Sequence, residues 1–153
     1  MSGRSNNEHW IREAIRLAGE ASHRGDEPFG ALLVVDDAPI LTARNAVNTR
    51  DDPTQHAELR LISKASRQFG STLISASTLY TSTEPCAMCA GAIYWSGISH
   101  VVFGLGAASL EAMTGGGGLH QPVRDVLGSA SRRILIEGPL LEEEARSVHE
   151  GFW

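Results

Sequence analysis

The stretch TLYTSTEPCAMCAGAIYWSGISHVVFG, residues 78–104, decides the fold. Thr78 to Thr83 reads as a strand. Pro85 opens a helix carrying Ala87, Met88, Ala90, Ala92, Ile93 and Trp95, which ends near Gly97. His100 to Gly104 reads as the next strand. Two strands joined through a helix predict a parallel pair in one sheet.

Upstream, Trp10, Ile11, Ala14, Ile15, Leu17, Ala18 and Ala21 recur at helical spacing, and Gly25 stops that helix. Gly30 to Val35 and Ile40 to Val47 read as an antiparallel hairpin around the turn Asp36-Asp37-Ala38-Pro39. Asn48 to Asp52 reads as a polar loop. Asp52 is a good N-cap, and Pro53 a good first helical residue, because its missing N–H would be unsatisfied there anyway. That helix is predicted to run to about Gln68, with Gly70 as its stop. Downstream, Thr114 to Leu119 is glycine-rich and predicts a mobile loop. Arg132 to Glu137 reads as a fifth strand and Leu140 to about Glu150 as a last helix. The order predicts a single domain over residues 1–153: a three-layer α-β-α sandwich of the α/β class with a five-stranded mixed sheet.

The bulk properties narrow the partners. The formal net charge is −5 and Lys64 is the only lysine. A free nucleic-acid binder usually shows a basic face, so nucleic acid is disfavoured and a small neutral ligand fits better. The first ten residues hold no apolar signal core, and no window is apolar enough for a membrane span. A cytoplasmic protein with reduced thiols is expected.

The two cysteines, Cys86 and Cys89, are spaced for a redox pair or half a metal site rather than a structural disulfide. His56-Ala57-Glu58 lies near the start of the other predicted helix. If the two helices pack side by side, one imidazole and two thiolates converge, a donor set suited to tetrahedral Zn²⁺ with its fourth position open for water. Helix starts also favour thiolates. Glu58 is not needed as a ligand and can carry protons beside the metal. Alone, CxxC reads equally as a thiol-redox motif and HAE as a surface helix start. Together, with Pro85 before the first cysteine, they match the HxE…PCxxC signature of zinc deaminases.

At this point the chain resembles the cytidine deaminase superfamily. The resemblance lies in Asp52-Pro53-Thr54-Gln55-His56-Ala57-Glu58, in Thr83 to Ile93 and in Pro28-Phe29-Gly30-Ala31. More narrowly, the runs resemble the branch holding bacterial guanine deaminases, tRNA adenosine deaminases and yeast-type cytosine deaminases. The resemblance implies a cytidine-deaminase-like fold, zinc on His56, Cys86 and Cys89, and Glu58 as the catalytic proton shuttle. It also implies substrate contacts from Asn45, on the second strand, and from the Ala57 N–H, and a homodimer. Phe29 reads either as core or as a stacking wall. Trp95 reads as core, dimer interface or pocket.

Several substrates fit. Ala92-Ile93-Tyr94-Trp95 resembles guanine deaminases and favours a guanine-like purine. A cytosine, azacytosine or aminotriazine-like ring comes next, and a free nucleoside stays open. Val101-Val102-Phe103-Gly104 favours a tRNA adenosine deaminase, but four arginines against six acids from Arg124 onward would repel RNA. Gly151-Phe152-Trp153 reads either as packing or as a lid over a small base, with Glu143 or His149 within reach of the ring. From another class, a non-catalytic zinc or thiol-redox module would not depend on Glu58.

Overall fold

The computed structural model describes residues 3–119 and 121–153. Its elements in order are α1 (Gly3–His23), β1 (Gly30–Val35), β2 (Ala38–Arg44), α2 (Val47–Arg50), α3 (Ala57–Gln68), α4 (Ser71–Ser75), β3 (Thr78–Thr83), α5 (Ala87–Ser96), β4 (His100–Leu105), α6 (Ala107–Thr114), α7 (Val123–Val126), β5 (Leu135–Glu137) and α8 (Glu142–Ser147). The five strands lie in the order β2-β1-β3-β4-β5. β1 is antiparallel to β2 and β3, while β3, β4 and β5 run parallel. The predicted mixed sheet, hairpin and parallel pair are all present.

Strand alternation sorts the core into two layers. Ala31, Leu33, Leu79 and Val101 point to one face, where Ala57, Leu61 and Ala65 of α3 and Ile93 of α5 cover them. Leu32, Val34, Tyr80 and Val102 point to the other, under Trp10, Ile11, Ala14 and Leu17 of α1. α1 crosses β1 so closely that a Cβ on Gly30 would lie 2.6 Å from the Ala14 carbonyl oxygen, so only glycine fits there. With α3 and α5 on one face, both helix starts are directed to one end of the sheet.

Several boundaries differ from the sequence reading. α3 begins at Ala57 rather than Pro53. The Asp52 carboxylate accepts from the Thr54 N–H (2.9 Å) and hydroxyl (2.7 Å) and from the Gln55 amide (3.0 Å), closing a turn instead of starting a helix. His56 is therefore the N-cap, with extended backbone. β2 ends at Arg44, so Asn45 follows the strand, and Val47 opens the short α2 within the predicted polar loop. β5 is only Leu135–Glu137, because Arg132 turns back to the Ile93, Tyr94 and Ile98 carbonyls at the end of α5. α8 covers only Glu142–Ser147, and α4, α6 and α7 were not read from the sequence. Among the described residues, no helix is long and apolar enough to cross a membrane.

Candidate metal and active site

His56 caps α3 and Cys86 caps α5, both with extended backbone, and Cys89 lies in the first turn of α5. The His56 Nδ1 is 3.5 Å from the Cys86 Sγ and 3.7 Å from the Cys89 Sγ. All three donor atoms lie within 4.8 Å of one another. A zinc tetrahedron with Zn–N of about 2.0 Å and Zn–S of about 2.3 Å has an N···S edge of about 3.5 Å. The donor set and its spacing therefore fit zinc.

Without a metal, the three donors share protons. The hydrogen bonds from the Cys89 thiol and from His56 bring the Cys86 thiol down to about 4. Cys89, beside that thiolate and fully buried, is pushed up. The Cys86 thiolate raises His56 in turn. A metal replaces the shared protons with its own charge, so binding releases them.

Glu58, in the first turn of α3, is 5% exposed, and burial raises its carboxyl above the usual range. The Thr81 hydroxyl, on the α3-facing side of β3, donates to Glu58 Oε1 at 2.7 Å. That fixes one oxygen and leaves Oε2 to exchange a proton.

These groups open into a cleft of about 510 Å³. His56, Glu58, Cys86, Glu27, Phe29 and Met88 line it. Leu110, the glycine loop at 116–118 and Trp153, whose ring lies against Phe29, complete the lining. The predicted residues divide accordingly. Phe29 is a wall, with its ring 6.2 Å from Trp153 and 5.4 Å from His149. Trp153 Nε1 donates to His149 Nδ1 at 2.9 Å, and the two rings stack. His149 is 1% exposed and lies behind that wall. Phe152 packs edge-on against Trp153 and does not line the cleft. Ala57 has its side chain in the core, so only its backbone can meet a ligand.

Three further expected contacts are placed elsewhere. Asn45 is fully buried, donates to Glu27 Oε1 (3.0 Å) and accepts from the Val47 N–H (2.9 Å), so Glu27 rather than Asn45 lines the cleft. Trp95 is 83% exposed on the outer side of α5, against Tyr94. Glu143 is exposed outside the cleft, whereas its neighbour Glu142 turns inward to accept from the Gly106 N–H (2.9 Å).

Sequence reasoning missed Glu27, Thr81 and Glu84. The Glu84 carboxylate accepts from the Ala107 N–H (2.9 Å) and the Val123 N–H (2.7 Å), tying the starts of α6 and α7 to the residue before Pro85. Its adjacency to Pro85-Cys86 was the available signal. Glu27 had none.

Residues 4–105 match the family described as the cytidine and deoxycytidylate deaminase zinc-binding region. A probable cytosine deaminase of Schizosaccharomyces pombe is 45% identical over 94% of this chain and 90% of its own length. The guanine deaminase of Bacillus subtilis is 46% identical over 60% of this chain and 59% of its own. Among solved structures, a tRNA:A34 deaminase superposes with a TM-score of 0.75 at 28% identity, covering 92% of this chain and 98% of the other.

Proposed function

The chain belongs to the cytidine and deoxycytidylate deaminase family and is a zinc-dependent hydrolase of C–N bonds; from that premise we propose that it deaminates a small free amino-heterocycle, a cytosine-type ring first. The observation that carries the small-ring reading is Trp153, which stands in the wall of the same cleft as His56 and Glu58. The relative similar along nearly the whole chain supports the cytosine type. A guanine-like purine is the second reading, supported by the high identity to the Bacillus subtilis enzyme over a shorter stretch.

His56, Cys86 and Cys89 would hold the zinc. When bound, the metal supplies a water activated near neutral pH. Glu58 Oε2 would take one proton from the attacking water and give it to the ring nitrogen as the C–O bond forms, then take the second proton from that oxygen and give it to the amino group as the C–N bond breaks, so that a ring carbonyl remains and ammonia leaves neutral. Thr81 keeps that carboxylate aimed, and its raised proton affinity suits a group that both accepts and donates. Phe29 and Trp153, packed against each other, give the ring one aromatic wall and exclude water on that side. The Ala57 N–H and Glu27, held in place by Asn45, meet its polar edge. We also propose a homodimer, in which the exposed Trp95 is the side chain an interface would cover.

Ammonia release from cytosine, azacytosine, aminotriazines, guanine, adenine, the nucleosides and tRNA tests the substrate. Cytosine-type rings are expected to lead, and Trp153→Ala to raise KM about tenfold through lost stacking. Preferential turnover of tRNA, undiminished by Trp153→Ala, overturns the small-ring reading.

A further inference from the structure

On a chain of net charge −5, one concave surface is strongly positive. Arg60, Lys64 and Arg67 follow one another at helical spacing along the outer side of α3, and Arg50 faces them from the end of α2. The groove between them holds about 340 Å³ and also presents the Thr54 and Ser63 hydroxyls. Arg24 and Arg44, nearby, are paired with Asp26 and Glu20. Among the described residues, the four groove cations have no carboxylate within ion-pair distance. Asp52 lies beside the groove, but its oxygens already accept from Thr54 and Gln55.

Such crowding is unfavourable without a counter-charge. Burial first, and the neighbouring cations next, lower the proton affinity of both Arg60 and Lys64, and the Asp26 carboxylate offsets this only in part at Arg60. A structural role would have supplied acids here, as α1 does for Arg16 with Glu13 and Glu20.

We infer that this groove is a binding site for a small ligand with linked phosphates, a nucleoside di- or triphosphate or an inorganic polyphosphate. Two or three linked phosphates bring about −3 to −4 of charge, matching the four cations. Arginine forks and hydroxyls are the donors phosphate oxygens take. The groove is short and enclosed by one helix and one turn, which suits a compact anion rather than a nucleic-acid backbone running across an acidic surface. Its floor is the turn that delivers His56, since Gln55 lines the groove and its carbonyl accepts from the Ala46 N–H at 3.0 Å. Occupancy therefore bears on the position of the metal-holding histidine.

The test is calorimetric titration of the zinc-loaded full chain with tripolyphosphate, with a purine nucleoside triphosphate and with a short RNA hairpin. Saturable binding of either triphosphate is expected, weakening as salt rises. Arg60→Gln/Lys64→Gln should weaken it on the order of 100-fold, and Arg67→Gln about tenfold. Arg133→Gln, outside the groove, should leave it unchanged, whereas chelation of the zinc would be the same in all of these variants and so cannot mimic the loss. A nucleotide bound more tightly than tripolyphosphate identifies a nucleotide site; the reverse identifies a polyphosphate site. No triphosphate binding, or equal binding by the double variant, overturns the inference. A hairpin bound in preference to both triphosphates assigns the groove to RNA and overturns it as well. So does a dimer that ignores triphosphate and falls to monomers in the double variant, because the groove then belongs to a copy-to-copy interface.

Discussion

Up to Leu105, the residues lining the cleft stand within a few positions of the end of a strand or helix buried in the sandwich: Phe29 before β1, His56 and Glu58 at the start of α3, Cys86 at the start of α5. After Leu105 the lining comes from α6, from glycines at positive φ (Gly116, Gly117) and from Trp153, tied down by few side-chain contacts. The family match ends at that same residue. The first region sets the metal and the proton carrier on a rigid base. The second leans against it and shapes the room left for a ring. On the proposed function, reaction chemistry and ring choice reside in separable parts of the chain, and variants in each should fail differently.

The largest effect should come from the first region. Cys86→Ala leaves two ligands, so bound zinc falls well below one per chain and turnover drops on the order of 10⁴-fold or more. Metal analysis beside ammonia release checks this, and a zinc-free variant that still deaminates would dismiss the site. Glu58→Gln should lower kcat about 10²- to 10⁴-fold while zinc stays bound. Loss of zinc in that variant would make Glu58 a ligand and break the division of roles.

The same boundary separates what could be read from sequence. The convergence of His56, Glu58, Cys86 and Cys89 was legible because its signal is local, with a fixed spacing, a proline and a helix start. The strands and the two long helices were legible from apolar periodicity. Thr81 was not, since its role arises only when β3 lies beneath α3. Nor was the exchange by which Asn45 binds Glu27, leaving Glu27 to line the cleft. α6 and α7 were missed because glycines 115–118 dominate that stretch, while the helices owe their placement to a distant carboxylate, Glu84. His56 as an N-cap was hidden by Pro53, whose helix-start preference loses to the Asp52-Thr54 turn.

Glu84 joins the two regions and sharpens the comparison. Glu84→Gln retains one acceptor but presents an amide N–H₂ to a backbone N–H, costing about 1–3 kcal/mol in the seating of α6 or α7. Melting should shift down by a few degrees, roughly 2–8 °C. KM should rise more than kcat falls, with zinc content unchanged. A fall confined to kcat would place Glu84 in the chemistry instead.

The smallest effect concerns how the last residues hold to the wall. Burial lowers His149 to about 4, from an ordinary value near 6.5, so the folded side chain is neutral and accepts from the Trp153 N–H through Nδ1. Between those values the unfolded chain binds the proton that the folded one refuses. Stability from this group is therefore complete above about pH 6.5 and declines as pH falls towards 4, by at most about 1.4 kcal/mol per pH unit. Trp153 fluorescence, with Trp10 and Trp95 replaced by Phe, should report loosening of the wall across that window while the core holds. His149→Gln keeps an acceptor for the indole but cannot titrate, so subtracting its profile removes the acid response of the metal ligands. If the two profiles coincide, the wall does not depend on His149, and acid weakens the site only through the first region.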